Sequence, residues 1–351
     1  MDASEITARA ASLHRLRALF TDSSDSKVTL IGDTMLDRYH HGFANNLNST
    51  APVPVLKITR TDESPGASAH VAIGLASFGL GVSFHSAVGA DSEGDRIIQS
   101  LKELGIDTSN VIQVNDRNTL TKTRFYGSRE SLLEKDQILL QADRGPSTQL
   151  DASVADLLTN GAIDQLRNSI ALVISDYDKG VVSHTGAQSL ISAANDAGIP
   201  SIVDPKLTGL EKSRGCSVVI FEKRGLSLLT RRNNCQNSDV MANQLIEEYD
   251  WGGVLILGGV DGVSLYQRNT DPKYFDCMAP SPEQQIGMHD AAATSLAAAL
   301  GSGLDLPDAA LLASAACDCV LSANTGEEYI DRQILSLWLD ELSWQLQISE
   351  R

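Results

Sequence analysis

The chain has 351 residues, enough for one large α/β domain or two smaller ones with a sizeable core. Its 42% hydrophobic and 21% charged residues are typical of globular proteins. The net charge of −17 argues against non-specific nucleic-acid binding and against an anionic membrane surface. We therefore expect neither nucleic acid nor a membrane as a partner, whereas a locally basic pocket for an anionic substrate stays compatible with this charge.

The five cysteines are odd in number and lie mostly among apolar residues. This pattern favours free thiols in a reducing compartment, and it predicts a cytoplasmic protein. Residues 1–27 contain no continuous apolar stretch, so we expect no signal peptide. No apolar run reaches the length that crosses a bilayer.

The N-terminal third combines one helix with strands of an unusual kind. Helical periodicity predicts a helix over residues 4–20, followed by a polar linker to Lys27. Val28–Ile31 is typical of a buried strand. In Ala51-Pro-Val-Pro-Val55 the alternate prolines exclude a central strand and favour an edge strand or a flap. Residues 121–141 predict further strands that do not belong to the alternating helices and strands of the main sheet.

From about residue 68 the predicted helices and strands alternate. The helices cover residues 71–78, 92–104, 150–167, 185–197 and 238–249, and the strands cover 82–87, 170–175, 201–204, 217–221 and 254–257. Alternation of this kind predicts a parallel, doubly wound sheet with helices on both faces. Ligands bind such sheets beyond the carboxyl ends of the strands. Four candidate segments follow predicted strands: Gly32-Asp33, Ser175-Asp176, Asp204-Pro205-Lys206 and Gly258-Gly259.

The segment Ile286-Gly-Met-His-Asp290 opens onto an alanine-rich run that predicts a buried helix. The start of such a helix offers unpaired backbone N–H groups and the positive end of the helix dipole, so it suits an anion. Asp290 is either an N-terminal capping carboxylate or, if a hydroxyl group is delivered to it, a general base.

Several motifs occur in a familiar order: Ile31-Gly-Asp-Thr-Met-Leu-Asp-Arg-Tyr39, Ala51–Val55, Ser175-Asp-Tyr-Asp-Lys-Gly180, and Asp204-Pro-Lys206 leading to Arg214-Gly215. They resemble the PfkB/ribokinase family of sugar kinases and, within it, the D-glycero-β-D-manno-heptose 7-phosphate kinases. The resemblance covers about residues 27–330.

The resemblance implies a ribokinase-like α/β fold, a doubly wound and mostly parallel sheet with helices on both faces and a small β lid. We expect an N-terminal helix and linker over 1–27 and a kinase domain over 28–345. The lid strands are expected at about 36–60 and 119–141. The resemblance also implies a possible homodimer formed through the lid.

On the substrate side, the resemblance implies that Asp33 and Asp37 bind sugar hydroxyls and that Arg38, Lys122 and Arg124 bind a phosphate. The set is completed by Gly66 and His70, in the glycine-rich sugar motif, and by Asp176 and Lys206 at strand ends. A small-molecule sugar phosphate is the implied ligand. Each of these charged residues, taken alone, could instead be an ordinary solvated residue of the protein surface.

The nucleotide side departs from the family pattern. The family's G-G-A-A-N motif reads Gly66-Ala-Ser-Ala-His70, and P-N-x-x-E reads Phe221–Gly225, with Glu222 displaced. Gly287, Met288 and His289 occupy the anion hole, and Gln284 replaces an aspartate associated with a monovalent cation. His289 either obstructs the phosphates or donates a hydrogen bond to them, and a positive φ at this position would strain it. The remaining nucleotide-side positions are Gly258, Gly262 and Ser314.

Two functional hypotheses follow. The first is an ATP- and Mg²⁺-dependent kinase of a sugar or sugar phosphate, with Asp290 as the base that takes the hydroxyl proton. The second is a catalytically impaired pseudokinase that binds a sugar phosphate or acts as a scaffold, because three nucleotide-side elements are altered together. The metal ligands stay unassigned. A dinucleotide-binding protein is disfavoured because no G-x-G-x-x-G follows the first strand.

Overall fold

The computed structural model describes residues 3–20, 26–128, 137–146, 148–280, 285–323 and 330–349. The predicted linker at 21–25, residues 129–136 of the second predicted lid segment, and Gln284 lie outside these ranges. Within the described ranges the elements are, in chain order, α1 (Ala3–Ala18), β1 (Lys27–Gly32), β2 (Thr34–Leu47), β3 (Pro54–Ala67), α2 (Ser68–Ser77), β4 (Gly81–Gly89), α3 (Ser92–Glu103), β5 (Val111–Val114), β6 (Leu120–Ser128), β7 (Gln137–Arg144), α4 (Ala152–Leu166), β8 (Ala171–Ser175), α5 (His184–Ala197), β9 (Ser201–Asp204), β10 (Val218–Glu222), α6 (Lys223–Arg232), α7 (Ser238–Tyr249), β11 (Gly253–Leu257), β12 (Val263–Gln267), β13 (Lys273–Phe275), α8 (Met288–Gly301), α9 (Leu306–Leu321) and α10 (Arg332–Ser349).

Nine of the described strands form the main sheet, in the order β13-β12-β11-β10-β9-β8-β1-β4-β5. Neighbours are parallel from β11 to β5, and β12 and β13 are antiparallel at one edge. Successive residues of a strand point to opposite faces. In β8, Val173 joins the core cluster that includes α8 and α9, whereas Leu172 and Ile174 join the cluster that includes α4 and α5. The predicted doubly wound sheet with helices on both faces is confirmed.

A second, four-stranded sheet forms the lid, in the order β3-β2-β6-β7. The central pair β2–β6 is parallel and the outer pairs are antiparallel. β1 of the main sheet ends at Gly32 and β2 of the lid begins at Thr34, so Asp33 is the one residue that links these two strands. β3 lies at the lid edge and begins at Pro54, as the prolines predict. The lid strands extend beyond the predicted bounds, to Ala67 and to Arg144.

Helix boundaries follow local chemistry. Asp91, Ser183 and Asn237 each accept a hydrogen bond from the backbone N–H three residues ahead, at the starts of α3, α5 and α7. α5 ends at Gly198, which adopts the left-handed conformation at φ 68°. These caps explain why the predicted starts of the three helices lie within one residue of the observed ones.

Six elements were not among the predicted ones: β5, α6, β12, β13, α9 and α10. α9 is buried along almost its whole length, so its sequence lacks an amphipathic period. α10 does carry one, since Leu335, Leu339, Leu342 and Leu346 are buried at helical spacing. α1 packs on α10 and α9, and Arg15 bonds Asp308 at 2.6 Å. The N-terminal helix is therefore attached to the C-terminal helices of the core.

Across the described part of the chain, every helix is too short or too polar to serve as a transmembrane span. All five cysteines are unpaired, and three of them have strongly raised thiol pKa values because they are buried: Cys216, Cys317 and Cys319. These thiols therefore behave as packing groups.

Candidate active site

The start of α8 lies where the carboxyl ends of the sheet strands meet the lid. Gly287 precedes the helix in the left-handed conformation at φ 85°. Met288, His289 and Asp290 form the first turn, and their backbone N–H groups precede the first intrahelical hydrogen bond, from Ala291 N to Gly287 O at 2.9 Å. The positive φ thus falls on glycine. The strain that we considered for His289 does not arise, because its backbone is helical.

Asp290 is buried beneath the lid. Its Oδ2 accepts a hydrogen bond from His70 Nδ1 at 3.0 Å. Its Oδ1 is buried and has no hydrogen-bond partner among the described residues. Burial raises the pKa of Asp290, and the hydrogen bond from His70 acts in the opposite direction. A buried carboxylate oxygen without a donor is costly unless a ligand satisfies it.

A cavity of about 110 Å³, here named the lid cavity, lies between the lid and the start of α8. Six predicted site residues line it together: Asp37, His70, Lys122, Arg124, Gly287 and Asp290. Asp37 and Tyr39 come from β2, and their register partners across the parallel pair are Lys122 and Arg124. Side chains of alternate residues on both strands therefore point into one space.

The charges of the lid cavity are partly matched within the protein. Arg124 Nη1 donates to Asp37 Oδ1 at 2.6 Å. Burial lowers the pKa of Arg124, but the charge of Asp37, the hydrogen bond to it and the neighbouring tyrosines Tyr39 and Tyr126 together raise it. A Cβ at Gly66 would lie 1.9 Å from Asp37 Oδ2, so only glycine leaves room for this carboxylate. Lys122 lies 3.8 Å from Asp143.

Five predicted substrate residues are not among those that line this cavity: Asp33, Arg38, Gly66, Asp176 and Lys206. Arg38 points to the opposite face of the lid, where it bonds Glu63 at 2.6 Å and lies 3.6 Å from Glu93. The side chains of adjacent residues in a strand point to opposite faces of the sheet. Because the side chain of Asp37 points into the cavity, that of Arg38 points away from it.

In the structure, the Asp33 carboxylate is hydrogen-bonded to backbone groups of the chain. It accepts hydrogen bonds from the N–H groups of Tyr177, Lys179 and Val181 at 2.9 to 3.2 Å. The Asp176 carboxylate also bonds groups of the protein itself. It accepts a hydrogen bond from Lys212 Nζ at 2.8 Å and another from the backbone N–H of Asp178. Both residues fix the loop after β8, and their contact with substrate stays a prediction.

A second cavity of about 470 Å³, here named the glycine-turn cavity, lies on the other side of the first turn of α8. Its walls include Glu222, Lys223, Arg224, Gly258, Met288 and His289. Gly258 N–H donates to Gly262 O at 2.8 Å, and Gly262 has φ 79°. A Cβ at Gly262 would lie 2.1 Å from Phe275 O, so the turn requires glycine. Ser314 is buried within α9 and is not part of the cavity wall.

His289 forms part of the wall of the glycine-turn cavity and of a third cavity of about 600 Å³ beside β9 and β10. Its Nδ1 lies 2.9 Å from Asp204 Oδ1, and its Nε2 lies 3.8 Å from Glu222 Oε1. Burial lowers the pKa of His289, but the charge of Asp204 and the hydrogen bond to it dominate and raise the pKa. The imidazole therefore stands between two carboxylates.

The third cavity holds Lys206, whose Nζ lies 4.0 Å above the ring of Tyr177. Tyr177 also lines the lid cavity, so its ring is shared by the two spaces. We missed Tyr177, Asp204, Lys223 and Arg224 as site residues. Their positions at or just after the carboxyl ends of β8, β9 and β10 were the available signal.

Comparison with known proteins gives consistent results. Residues 25–328 match the pfkB family carbohydrate kinases. The chain is 32% identical over 320 residues to the Bifunctional protein HldE of Paramagnetospirillum magneticum, covering 90% of this chain and 64% of that protein. It is 30% identical over 308 residues to HldE of Magnetococcus marinus, covering 87% and 62%. The chain thus spans less than two thirds of the length of these relatives.

Solved structures show the same fold. Phosphofructokinase-2 from Escherichia coli, in complex with potassium, superimposes with a TM-score of 0.72 at 18% identity, covering 91% of this chain and 100% of the other. Arabidopsis thaliana ribokinase complexed with ribose and ATP gives a TM-score of 0.66 at 16% identity, covering 90% and 99%. The predicted ribokinase-like fold is confirmed, and the predicted closeness to the heptose 7-phosphate kinase group agrees with the HldE matches.

Proposed function

Since the chain belongs to the pfkB family of carbohydrate kinases, we propose that it transfers the γ-phosphoryl group of ATP to a hydroxyl of a sugar phosphate resembling heptose 7-phosphate. The observation that carries this proposal is Asp290, whose Oδ1 has no partner in the described part of the chain and borders the same cavity as Arg124 and Lys122. A base for the hydroxyl and cations for a phosphate thus face one space. The similarity to HldE supports the choice of a heptose phosphate.

The lid cavity has complementary chemistry for such a substrate. Arg124 offers a planar donor group for a phosphate, Lys122 adds a point charge, and Asp37 accepts hydrogen bonds from sugar hydroxyls. At about 110 Å³ the cavity is smaller than the roughly 300 Å³ at which small-molecule sites begin. We therefore expect the lid to move outward on binding and to release the Arg124–Asp37 pair to the ligand.

We assign ATP to the glycine-turn cavity because of its cations and its glycine backbone. Lys223 and Arg224 provide cations there, and Gly258 and Gly259 contribute backbone to the wall. The first turn of α8 adds N–H donors where negative charge develops during transfer. In the reaction, Asp290 takes the hydroxyl proton, the sugar oxygen forms a bond to the γ-phosphorus, and the bond to ADP breaks.

Mg²⁺ is compatible with this side of the site. Mg²⁺ keeps several waters and binds one or two carboxylates together with substrate phosphates, so it does not need a protein cage. The described residues contain no cluster of three or more His, Cys, Asp or Glu that would form such a cage. Glu222, an exposed carboxylate beside the glycine-turn cavity, is the residue that would hold the ion. The ion would neutralise phosphate charge.

Phosphoryl transfer by the wild-type chain and by Asp290→Asn tests the proposal. ADP release is measured with pentose, hexose and heptose phosphates as acceptors. We expect the heptose phosphate to be preferred, and we expect Asp290→Asn to lower kcat by about 10²- to 10⁴-fold because asparagine cannot take the proton. Unchanged turnover in Asp290→Asn would remove Asp290 from this role, and an inactive wild-type chain would exclude a kinase for these acceptors.

A pseudokinase is the second candidate, and the position of His289 favours it. The ring is fixed by Asp204 beside the cavity that ATP would occupy. If the ring stays there, the chain binds the sugar phosphate without transferring a phosphoryl group to it. Binding of sugar phosphate without binding of ATP would identify this case.

We also propose that two copies associate through their lids. The lid exposes Val55 and Ile58 on β3 and Ile138, Leu139 and Leu140 on β7, each at least 40% exposed. Apolar side chains on a strand edge invite pairing with another chain. Sedimentation of the wild-type chain should give a dimer, and Ile58→Glu should give a monomer. A monomeric wild type would exclude this assembly.

We place the protein in the cytoplasm. Its five cysteines are unpaired in the fold, which suits a compartment that keeps thiols reduced. Fractionation of cells that express the chain tests the assignment, and recovery outside the cytoplasm would contradict it.

A further inference from the structure

The helices α2 and α8 approach each other unusually closely beside the site. A Cβ at Gly74 would lie 2.6 Å from Thr294 Oγ1, so only glycine permits this spacing. Four residues earlier in each helix stand His70 and Asp290, which is one helical turn away. The close contact between Gly74 and Thr294 therefore sets the distance at which the imidazole and the carboxylate meet.

The two oxygens of Asp290 have different surroundings. Oδ2 lies 3.0 Å from His70 Nδ1, whereas Oδ1 is buried and lacks a donor among the described residues. An ionised carboxylate only accepts hydrogen bonds, so Nδ1 of His70 must carry the proton in this contact. One oxygen is thus held by the protein and the other is left for a ligand.

We propose that His70 is a positioning residue whose Nδ1–H holds Oδ2 of Asp290 and thereby directs Oδ1 to the sugar hydroxyl. This role rests on the proposed kinase function. It differs from the sugar contact that the sequence implied for position 70. The residue at that position acts on the base, and through the base on the reaction.

The electrostatics of the site agree with this role. Burial raises the pKa of Asp290 and so favours the protonated form, which cannot act as a base. His70 lowers this pKa by its hydrogen bond and its charge, His289 also lowers it, and Asp204 raises it. The other charged or titratable groups that line the lid cavity are Asp37, Tyr39, Lys122, Arg124 and Tyr177. Without His70 the carboxyl group would retain its proton to a higher pH.

The pH dependence of kcat/KM in His70→Ala and His70→Asn tests the proposal. The shorter alanine removes the donor, whereas the amide of asparagine can supply one. We expect His70→Ala to move the acid limb of the profile to higher pH and to lower kcat/KM at pH 7 by about 10- to 100-fold, mainly through kcat. His70→Asn should return the limb toward that of the wild type. His184→Ala, which changes an exposed histidine, should leave the profile unchanged.

A second measurement does not depend on activity. Carbon-13 NMR of the aspartate carboxyl groups, with the Asp290 signal assigned from Asp290→Asn, reports its titration directly. We expect the midpoint to be higher in His70→Ala than in His70→Asn. Gly74→Ala, which pushes α2 from α8 while keeping both residues, should shift the midpoint in the same direction as His70→Ala.

Equal Asp290 midpoints in the wild type, His70→Ala and Gly74→Ala would overturn the positioning role. A wild-type chain without phosphoryl transfer would contradict the kinase function instead. The carboxyl titration would then still decide whether His70 controls Asp290.

Discussion

The lid cavity and the glycine-turn cavity flank the same helix start but differ in how their charges are held. In the lid cavity, Asp290 has one oxygen for which the described residues supply no donor, and Arg124 and Asp37 pair across neighbouring strands. In the glycine-turn cavity, Lys223 bonds Asp261 at 2.9 Å and His289 bonds Asp204 at 2.9 Å. The first cavity has a group that a ligand must satisfy, whereas the second has contacts that a ligand must break.

The two contacts on the nucleotide side are not equivalent. Lys223 and Asp261 have side chains that are 58% and 59% exposed, so their pair is worth at most about 1 kcal/mol. The side chains of His289 and Asp204 are only 25% and 9% exposed. Breaking a buried pair leaves a charge without its partner, which costs more. At the proposed nucleotide site, we therefore expect the main barrier to ATP binding at His289.

The largest effect in this comparison is expected from Arg124→Ala. The change removes the planar cation of the lid cavity and leaves Asp37 unneutralised, so affinity for the sugar phosphate should fall about 10- to 100-fold. Affinity for ATP should stay the same. Titration calorimetry with each ligand measures both values.

Arg38→Ala is the matched control, because Arg38 lies on the opposite face of the same sheet. It should leave both affinities unchanged. Equal losses for the two arginine variants would show that charge on the lid as a whole, and not the lid cavity, attracts the ligand.

A smaller effect is expected on the nucleotide side from the double substitution Asp204→Asn/His289→Ala. It removes the ring together with the carboxylate that would otherwise remain unpaired. Affinity for ATP should rise about tenfold, which corresponds to about 1.4 kcal/mol, while affinity for the sugar phosphate stays the same.

Asp204→Asn alone loosens the ring without removing it and should give a smaller gain. Weaker ATP binding in the double variant would reverse the interpretation. His289 would then donate a hydrogen bond to a phosphate, which is the second of the two roles that the sequence analysis leaves open for this residue.

The smallest effect is expected from Asp33→Asn, since Asp33 acts only through the loop that contributes Tyr177 to the lid cavity and to the third cavity. Asparagine can accept through only one oxygen, so part of the support for the loop with Tyr177 is lost. We expect a loss of about 2 kcal/mol in the free energy of unfolding, measured by denaturant titration, with comparable small losses for both ligands. A selective loss of sugar-phosphate binding would restore the predicted direct contact of Asp33 with substrate.

Sequence patterns predicted the sheet because its strands are short, apolar and bounded by glycine or aspartate. The separation of Arg38 from Asp37 could be predicted from the sequence. Asp37 and Arg38 are adjacent in a strand, and adjacent side chains point to opposite faces. The alternation of side chains along a strand therefore allows either Asp37 or Arg38 to face the lid cavity, but not both.

Other features depend on contacts between distant parts of the chain. Asp33 accepts from backbone groups that lie 144 to 148 residues away, and backbone donors leave no mark on a sequence. His289 meets Asp204 across 85 residues and His70 meets Asp290 across 220. Local patterns mark these residues as unusual, but only the fold shows which carboxylate each imidazole contacts.

The most direct test of the account is calorimetric titration of the wild-type chain with ATP and Mg²⁺, with and without heptose 7-phosphate. We expect ATP to bind at micromolar strength and heptose 7-phosphate to bind independently in the lid cavity. Heptose 7-phosphate binding without any ATP binding would contradict the kinase and identify a protein that keeps only the sugar-phosphate half of the site.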